Sequence, residues 1–149
     1  MKIALVASEG GHLTQARTIF SEEVIGNNEA IYFTERNPKT EKLPGKKYFF
    51  KEVGYNPFNY PYAILKCLLI FKREKPSVVI TTGADIGLVG MIAGKLLGIK
   101  TIFIDTIIRV KTPTWAGKLS YPFSDIFLVQ IPGMEKHYGK RARYVGGIV

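Results

Sequence analysis

The chain has 149 residues, 46% of them apolar and 22% charged. This length suits one domain (1–149) with a single large core, and the composition excludes a low-complexity or disordered chain. The formal net charge of +9 favours an anionic partner, yet the cations fall in short dispersed groups (GKK, FKREK, GKRAR) rather than one arm, which argues against nucleic acid.

The first segment, KIALVAS (2–8), reads as a buried strand, and GHLTQARTIFSEEV (11–24) carries Leu13, Ala16, Ile19, Phe20 and Val24 at helical spacing. AIYFTE (30–35) and KKYFFKEV (46–53) are two further strands around the turn-prone RNPKTEKLPG, and alternation in the second places it near a sheet edge. NPFNYPYAILKCLLIFKREK (56–75) opens with turn chemistry and continues as a helix with a basic end, stopping before Pro76. SVVITTG (77–83) is a buried strand running into glycine, followed by a small-residue-rich helix over 84–98 that Gly98 can close. KTIFID (100–105) is another apolar strand. A short helix near 114–123, a strand over 125–130, a short helix at PGMEKHYG and a last strand near ARYVGG complete the chain.

This alternation predicts an α/β fold, a Rossmann-like parallel sheet with helices on both faces and right-handed crossovers. In such folds ligands bind beyond the carboxyl ends of the strands, where the strand order reverses.

Three strand-end loops carry candidate chemistry. After the first strand come Ser8, Glu9, Gly10, Gly11 and His12, with Thr14 and Gln15 on the opening turn of a helix. Glycines admit a ligand close to the backbone, and the free N–H groups of the helix start favour an anion; the alternative is a merely tight turn. His12 can donate to a phosphate oxygen, carry a proton, or cap and pack. Glu35 could supply the acid of a dinucleotide site, but the G-x-G-x-x-G spacing is absent, so NAD is not expected. The second loop, TTGADIG, presents Thr81, Thr82 and Gly83 before a helix, and the two loops could face one cleft. The third offers Asp105, Thr106 and Arg109, either a base with an anion clamp or an ordinary ion pair.

Cys67 is the only cysteine, so no intrachain disulfide forms, and no Cys or His pair has zinc spacing; neither a metal nor a cofactor is expected. The N-terminal apolar run is too short for a signal peptide, and the longest apolar stretches, YAILKCLLIF and IGLVGMIAGKLLGI, each contain a lysine and fall short of the ~20 residues of a bilayer span. A cytoplasmic chain with at most peripheral membrane contact is expected.

SEGGHLTQ, TTGAD, RV followed by GKLSYPFSDIFLVQ, and a late YVGG occur in this order over most of the chain. In this the sequence resembles the accessory subunits of bipartite glycosyltransferases, the Alg-fourteen-type oligosaccharide and PssD-type capsule or exopolysaccharide biosynthesis proteins. The resemblance implies the N-terminal, acceptor-binding half of a GT-B glycosyltransferase, with a UDP-sugar-binding catalytic subunit as a separate chain. The lone chain should then not transfer sugar. It also implies a polyprenyl-pyrophosphate-linked sugar as acceptor, with Gly10, Gly11, His12, Thr14, Thr82, Gly83 and Arg109 around its pyrophosphate and Asp105 or His12 in a catalytic role. Family members carry a glutamate and a serine where this chain has Asp105 and Thr106. The final implication is recruitment to the cytoplasmic face of the membrane. Phe58, Tyr60, Tyr62, Lys66, Lys72 and Arg73 are the candidates for that contact, although the same helix can equally pack as core.

Overall fold

The computed structural model describes residues 1–147. Seven strands, β1 (Lys2–Val6), β2 (Glu29–Glu35), β3 (Lys46–Phe50), β4 (Val78–Thr81), β5 (Lys100–Ile104), β6 (Ile126–Val129) and β7 (Ala142–Tyr144), form one parallel sheet in the order β3-β2-β1-β4-β5-β6-β7. The 46–53 segment does supply an edge strand. The order reverses between β1 and β4, so the crevice for a ligand opens beyond Val6 and Thr81.

Alternate residues of β1 serve opposite faces, as the pleat requires. Ala4 and Val6 pack under α3 (Asn59–Glu74) and α4 (Ala84–Leu96), against Cys67, Phe71, Val89 and Ala93. Ile3, Leu5 and Ala7 pack on the other face against Leu13 and Ala16 of α1 (Gly11–Ile19) and Ile25 of α2 (Glu22–Ile25). A third cluster sits under α5 (Trp115–Ser120) and α6 (Glu135–Tyr138), where the stacked rings of Phe103 and Phe127 lie 4.7 Å apart. Each fully buried Phe contributes about 1.5–3 kcal/mol by leaving water.

Helix α4 lies almost against the sheet because its inner face is glycine. A Cβ at Gly90 would stand 2.8 Å from Val6 Cγ2, closer than packed carbons approach. This close seat brings the start of α4 directly over the end of β4.

Boundaries differ from the sequence reading in two respects. The helix expected over 11–24 breaks at Phe20, where ψ turns to +60°, and Ser21 in extended conformation begins α2 with Glu22 and Glu23 at its positive end. The 56–75 segment follows its reading of a turn leading into a helix: the Asn56 side chain accepts the Phe58 N–H and holds the turn, and α3 begins at Asn59. The strands also end two or three residues early, Val6 instead of Ser8 and Phe50 instead of Val53, because the chain there turns to build the crevice.

At the opposite end of the sheet Glu74 is buried, accepting from Lys2, Lys46 and the Tyr48 hydroxyl. The Tyr48 and Lys46 bonds hold its pKa down to about 2. This ionic knot ties α3 to β1 and β3.

Candidate functional site

The two glycine loops meet at the switch point and lock together. His12 Nδ1 lies 2.8 Å from the Thr82 carbonyl oxygen, and the Thr82 hydroxyl donates back to the His12 carbonyl at 2.7 Å. A carbonyl can only accept, so Nδ1 carries hydrogen and a neutral His12 presents an unprotonated Nε2.

Gly83 makes room for that ring. Its backbone, φ +115° and ψ −158°, is a conformation that side chains do not tolerate, and a Cβ there would meet His12 Cε1 at 3.1 Å. Ala84 follows at φ +68°, so strain is concentrated where the two loops touch.

The N–H groups of Gly10, Gly11 and His12 have no acceptor among the described residues, whereas Leu13 N–H already donates to Ser8 and Thr14 N–H to Gly10. Three free donors at a helix start form a receptor for an anion. His12 also lines a pocket of about 180 Å³, together with Thr82, Asp105, Arg109 and Trp115, and the Gly10 and Gly11 amides precede it in the chain without lining that pocket. Arg109 brings a cation to this pocket.

Asp105 is buried and does not pair with Arg109; no ion pair joins them among the described residues. Its carboxylate instead accepts from Tyr138 at 2.8 Å and Thr114 at 3.4 Å, and its carbonyl accepts from Gln15 and Gln130. Burial raises its pKa, and the Tyr138 bond opposes that rise. A charged His12 opposes it too, so the two side chains share one electrostatic environment. Tyr138, itself raised to about 12 by burial and by Asp105, escapes sequence reasoning because it lies 33 residues downstream on a one-turn helix.

Of the pyrophosphate candidates, His12, Thr82 and Arg109 line the pocket, Gly83 packs on the His12 ring, and Gly10 and Gly11 directly precede His12 in the chain. Thr14 lies apart: its hydroxyl donates to Gly10 O within its own turn, and it borders a separate depression with Arg17 and Thr18. Glu35 does other work. It accepts the Glu9 N–H at 2.8 Å and stands 3.0 Å from Ser8 Oγ, while Asp85 Oδ1 stands 3.1 Å from the same oxygen. One hydroxyl hydrogen serves one of these carboxyl oxygens at a time, and burial raises the Glu35 pKa. Asp85 also accepts the Gly54 N–H, joining this cluster to the loop before α3.

Helix α3 has two faces, which decides the membrane candidates separately. Ala63, Cys67 and Phe71 are buried core. Phe58, Tyr62, Leu65 and Leu69 form an exposed stripe on the other side, with Phe58 87% and Tyr62 72% exposed, and Lys72 is exposed beside it. Tyr60, Lys66 and Arg73 are used by the fold: Tyr60 packs on the core, Lys66 donates to Phe49 O at 2.6 Å, and Arg73 donates to the Tyr48 hydroxyl. No helix of the described residues is long and apolar enough to cross a membrane, and none of these residues form a cluster of three or more metal-ligating side chains.

A UDP-N-acetylglucosamine transferase subunit alg14 of Schizosaccharomyces pombe is 32% identical over 117 residues, covering 72% of this chain and 55% of that one. The UDP-N-acetylglucosamine–N-acetylmuramyl-(pentapeptide) pyrophosphoryl-undecaprenol N-acetylglucosamine transferase of Oceanobacillus iheyensis is 30% identical over 117 residues, 78% of this chain and 31% of that one. The chain thus spans about half or less of the length of the curated relatives it matches. In fold it superimposes on Acinetobacter baumannii MurG with a TM-score of 0.82 at 14% identity, over 99% of this chain and 45% of that one. The family model described as oligosaccharide biosynthesis protein Alg14 like matches residues 51–148. The chain belongs to the Alg14-like family of oligosaccharide biosynthesis proteins.

Proposed function

We propose that the chain is the acceptor-side subunit of a two-component, UDP-sugar-dependent glycosyltransferase of the N-acetylglucosaminyl type, acting on a polyprenyl-pyrophosphate-linked sugar. The carrying observation is the switch-point crevice, where Arg109 and a tautomer-fixed His12 line one pocket and the unpaired amides of Gly10, Gly11 and His12 open the adjoining helix. Relatives named as a UDP-N-acetylglucosamine transferase subunit and as a transferase to a pyrophosphoryl-undecaprenol acceptor support the same substrate chemistry.

In this reading the amides of Gly10, Gly11 and His12 and the Arg109 guanidinium hold the pyrophosphate, acting as fixed dipoles that need no reorganisation when charge arrives. His12 Nε2 accepts or donates a proton in the pocket, and Asp105, fixed by Tyr138, sets the electrostatics behind it. The UDP-sugar comes on a separate donor-binding subunit that closes over this crevice. The exposed stripe of α3, with Lys72 at its end, rests on the cytoplasmic face of the membrane and presents the pocket to the lipid.

Reconstitution tests this. The purified chain alone should transfer no sugar; with the donor subunit, UDP-N-acetylglucosamine and a lipid-pyrophosphate sugar it should. Replacing His12 with Ala should cut transfer by about 10²-fold or more while the subunits still co-purify. Full activity of the lone chain, or tight NAD or ATP binding in place of transfer, would overturn the assignment.

A further inference from the structure

Next to the anion pocket runs a groove of about 420 Å³ whose character is opposite. Tyr55, Tyr60 and Ile64, from α3 and the loop before it, form one wall; Ile92 of α4 lies at its base; Trp115 and Leu119 of α5 form the other wall. Its size lies within the range of small-molecule sites, ~300–1,000 Å³. Its lining is apolar and aromatic, and only the phenol groups of Tyr55 and Tyr60 and the indole N–H bring polarity to it. Tyr55 and Trp115 approach across it with ring centroids 5.6 Å apart.

Two observations identify the occupant. Trp115 lines both this groove and the pocket of His12 and Arg109, so the two spaces adjoin on either side of one side chain. The pocket is built for negative charge and the groove for hydrocarbon, so a ligand filling both has an anionic head joined directly to a linear apolar tail. The exposed stripe of α3 is a different surface, since Tyr62, Leu65 and Leu69 do not border the groove.

We propose that the groove between α3, α4 and α5 holds the first isoprenoid units of the lipid whose pyrophosphate occupies the adjoining pocket. This rests on the acceptor reading given above, and it adds that the protein grips the lipid itself and not only its head and sugar. Trp115 stands between the two spaces, and in this proposal its indole packs on the first isoprene.

Trp115 is the only tryptophan in the chain, so its emission reports the groove directly. Titration of the full chain with farnesyl pyrophosphate should shift that emission to the blue and saturate. Inorganic pyrophosphate should compete without the shift. Leu119→Glu, at a position 52% exposed and so tolerant in folding, should weaken farnesyl pyrophosphate by about tenfold or more and leave inorganic pyrophosphate unchanged. Equal affinity for the two probes, an unaffected Leu119→Glu variant, or the same blue shift from neutral phosphatidylcholine vesicles alone would overturn the proposal. With the reconstituted two-subunit enzyme, the acceptor KM should rise as the lipid is shortened to a single isoprene. Transfer that ignores this shortening sinks the groove but spares the functional assignment. Absence of transfer with every acceptor sinks the assignment, while the emission titration still decides the groove.

Discussion

Replacing Gly83 with Ala probes the junction on which the site depends. The native backbone there, φ +115° and ψ −158°, is confined to glycine and costs a side chain about 1–3 kcal/mol. The new methyl would also stand 3.1 Å from His12 Cε1, so the ring must shift by several tenths of an ångström or the loop must move. Either response weakens the Nδ1–H bond to Thr82 O, a loss of roughly 0.5–1.5 kcal/mol. Together these amount to about 2–4 kcal/mol, or a fall in melting temperature of roughly 5–15 °C for a chain of this size. Calorimetry measures the first effect, and nitrogen-15 NMR of the His12 imidazole measures the second, as loss of the single Nδ1–H tautomer. Gly10→Ala is the control: its backbone, φ +88° and ψ −133°, is likewise confined to glycine and costs a side chain about 1–3 kcal/mol, but nothing lies within 4 Å of its Cβ, so the His12 tautomer should persist. A Gly83→Ala protein that melts with the wild type and keeps its tautomer would refute the steric reasoning.

Gly90→Ala should be worse for folding than for the site, because its methyl would press on Val6 in the core; a loss of about 3 kcal/mol or more in urea denaturation is expected. Tyr138→Phe removes a donor to buried Asp105. The raised folded pKa of Asp105 means that stability is fully present below the unfolded carboxyl pKa and is lost as pH rises through the folded value. Removing the donor deepens that loss, so the variant should be destabilised by about 1.5–3 kcal/mol at pH 7 and clearly less at pH 4. Glu74 has the opposite sign: its folded pKa of about 2 gives stability that is present above the unfolded value and is lost as pH falls toward 2, and Glu74→Gln should flatten the urea midpoint between pH 5 and pH 2.5. Changing Phe58, Tyr62 and Leu69 together to Ser should abolish sedimentation with anionic vesicles while the melting temperature holds within a few degrees, since all three side chains are exposed.

The alternation of apolar strands with helices determined the parallel α/β sheet, and the glycines after the first and fourth strands marked both loops of the pocket, because strand period and glycine placement are local properties of the chain. The free amides of Gly10, Gly11 and His12 follow from the same local chemistry of a helix start. What the His12 ring does is not local: its tautomer depends on a carbonyl 70 residues away, brought within reach because β1 and β4 are neighbours and the glycine face of α4 lets that helix sit close. The partner of Asp105 was likewise decided in three dimensions. Arg109 is nearer in sequence, but burial under α5 and α6 gives the carboxylate to Tyr138 and Thr114. Thr14 lies on the expected helix turn yet turns to its own backbone, and the 56–75 segment, readable as core or as membrane contact, is core on one face and exposed on the other. Sequence spacing assigns residues to faces and loops; which faces are covered, and which loops meet, depends on the order of strands in the sheet.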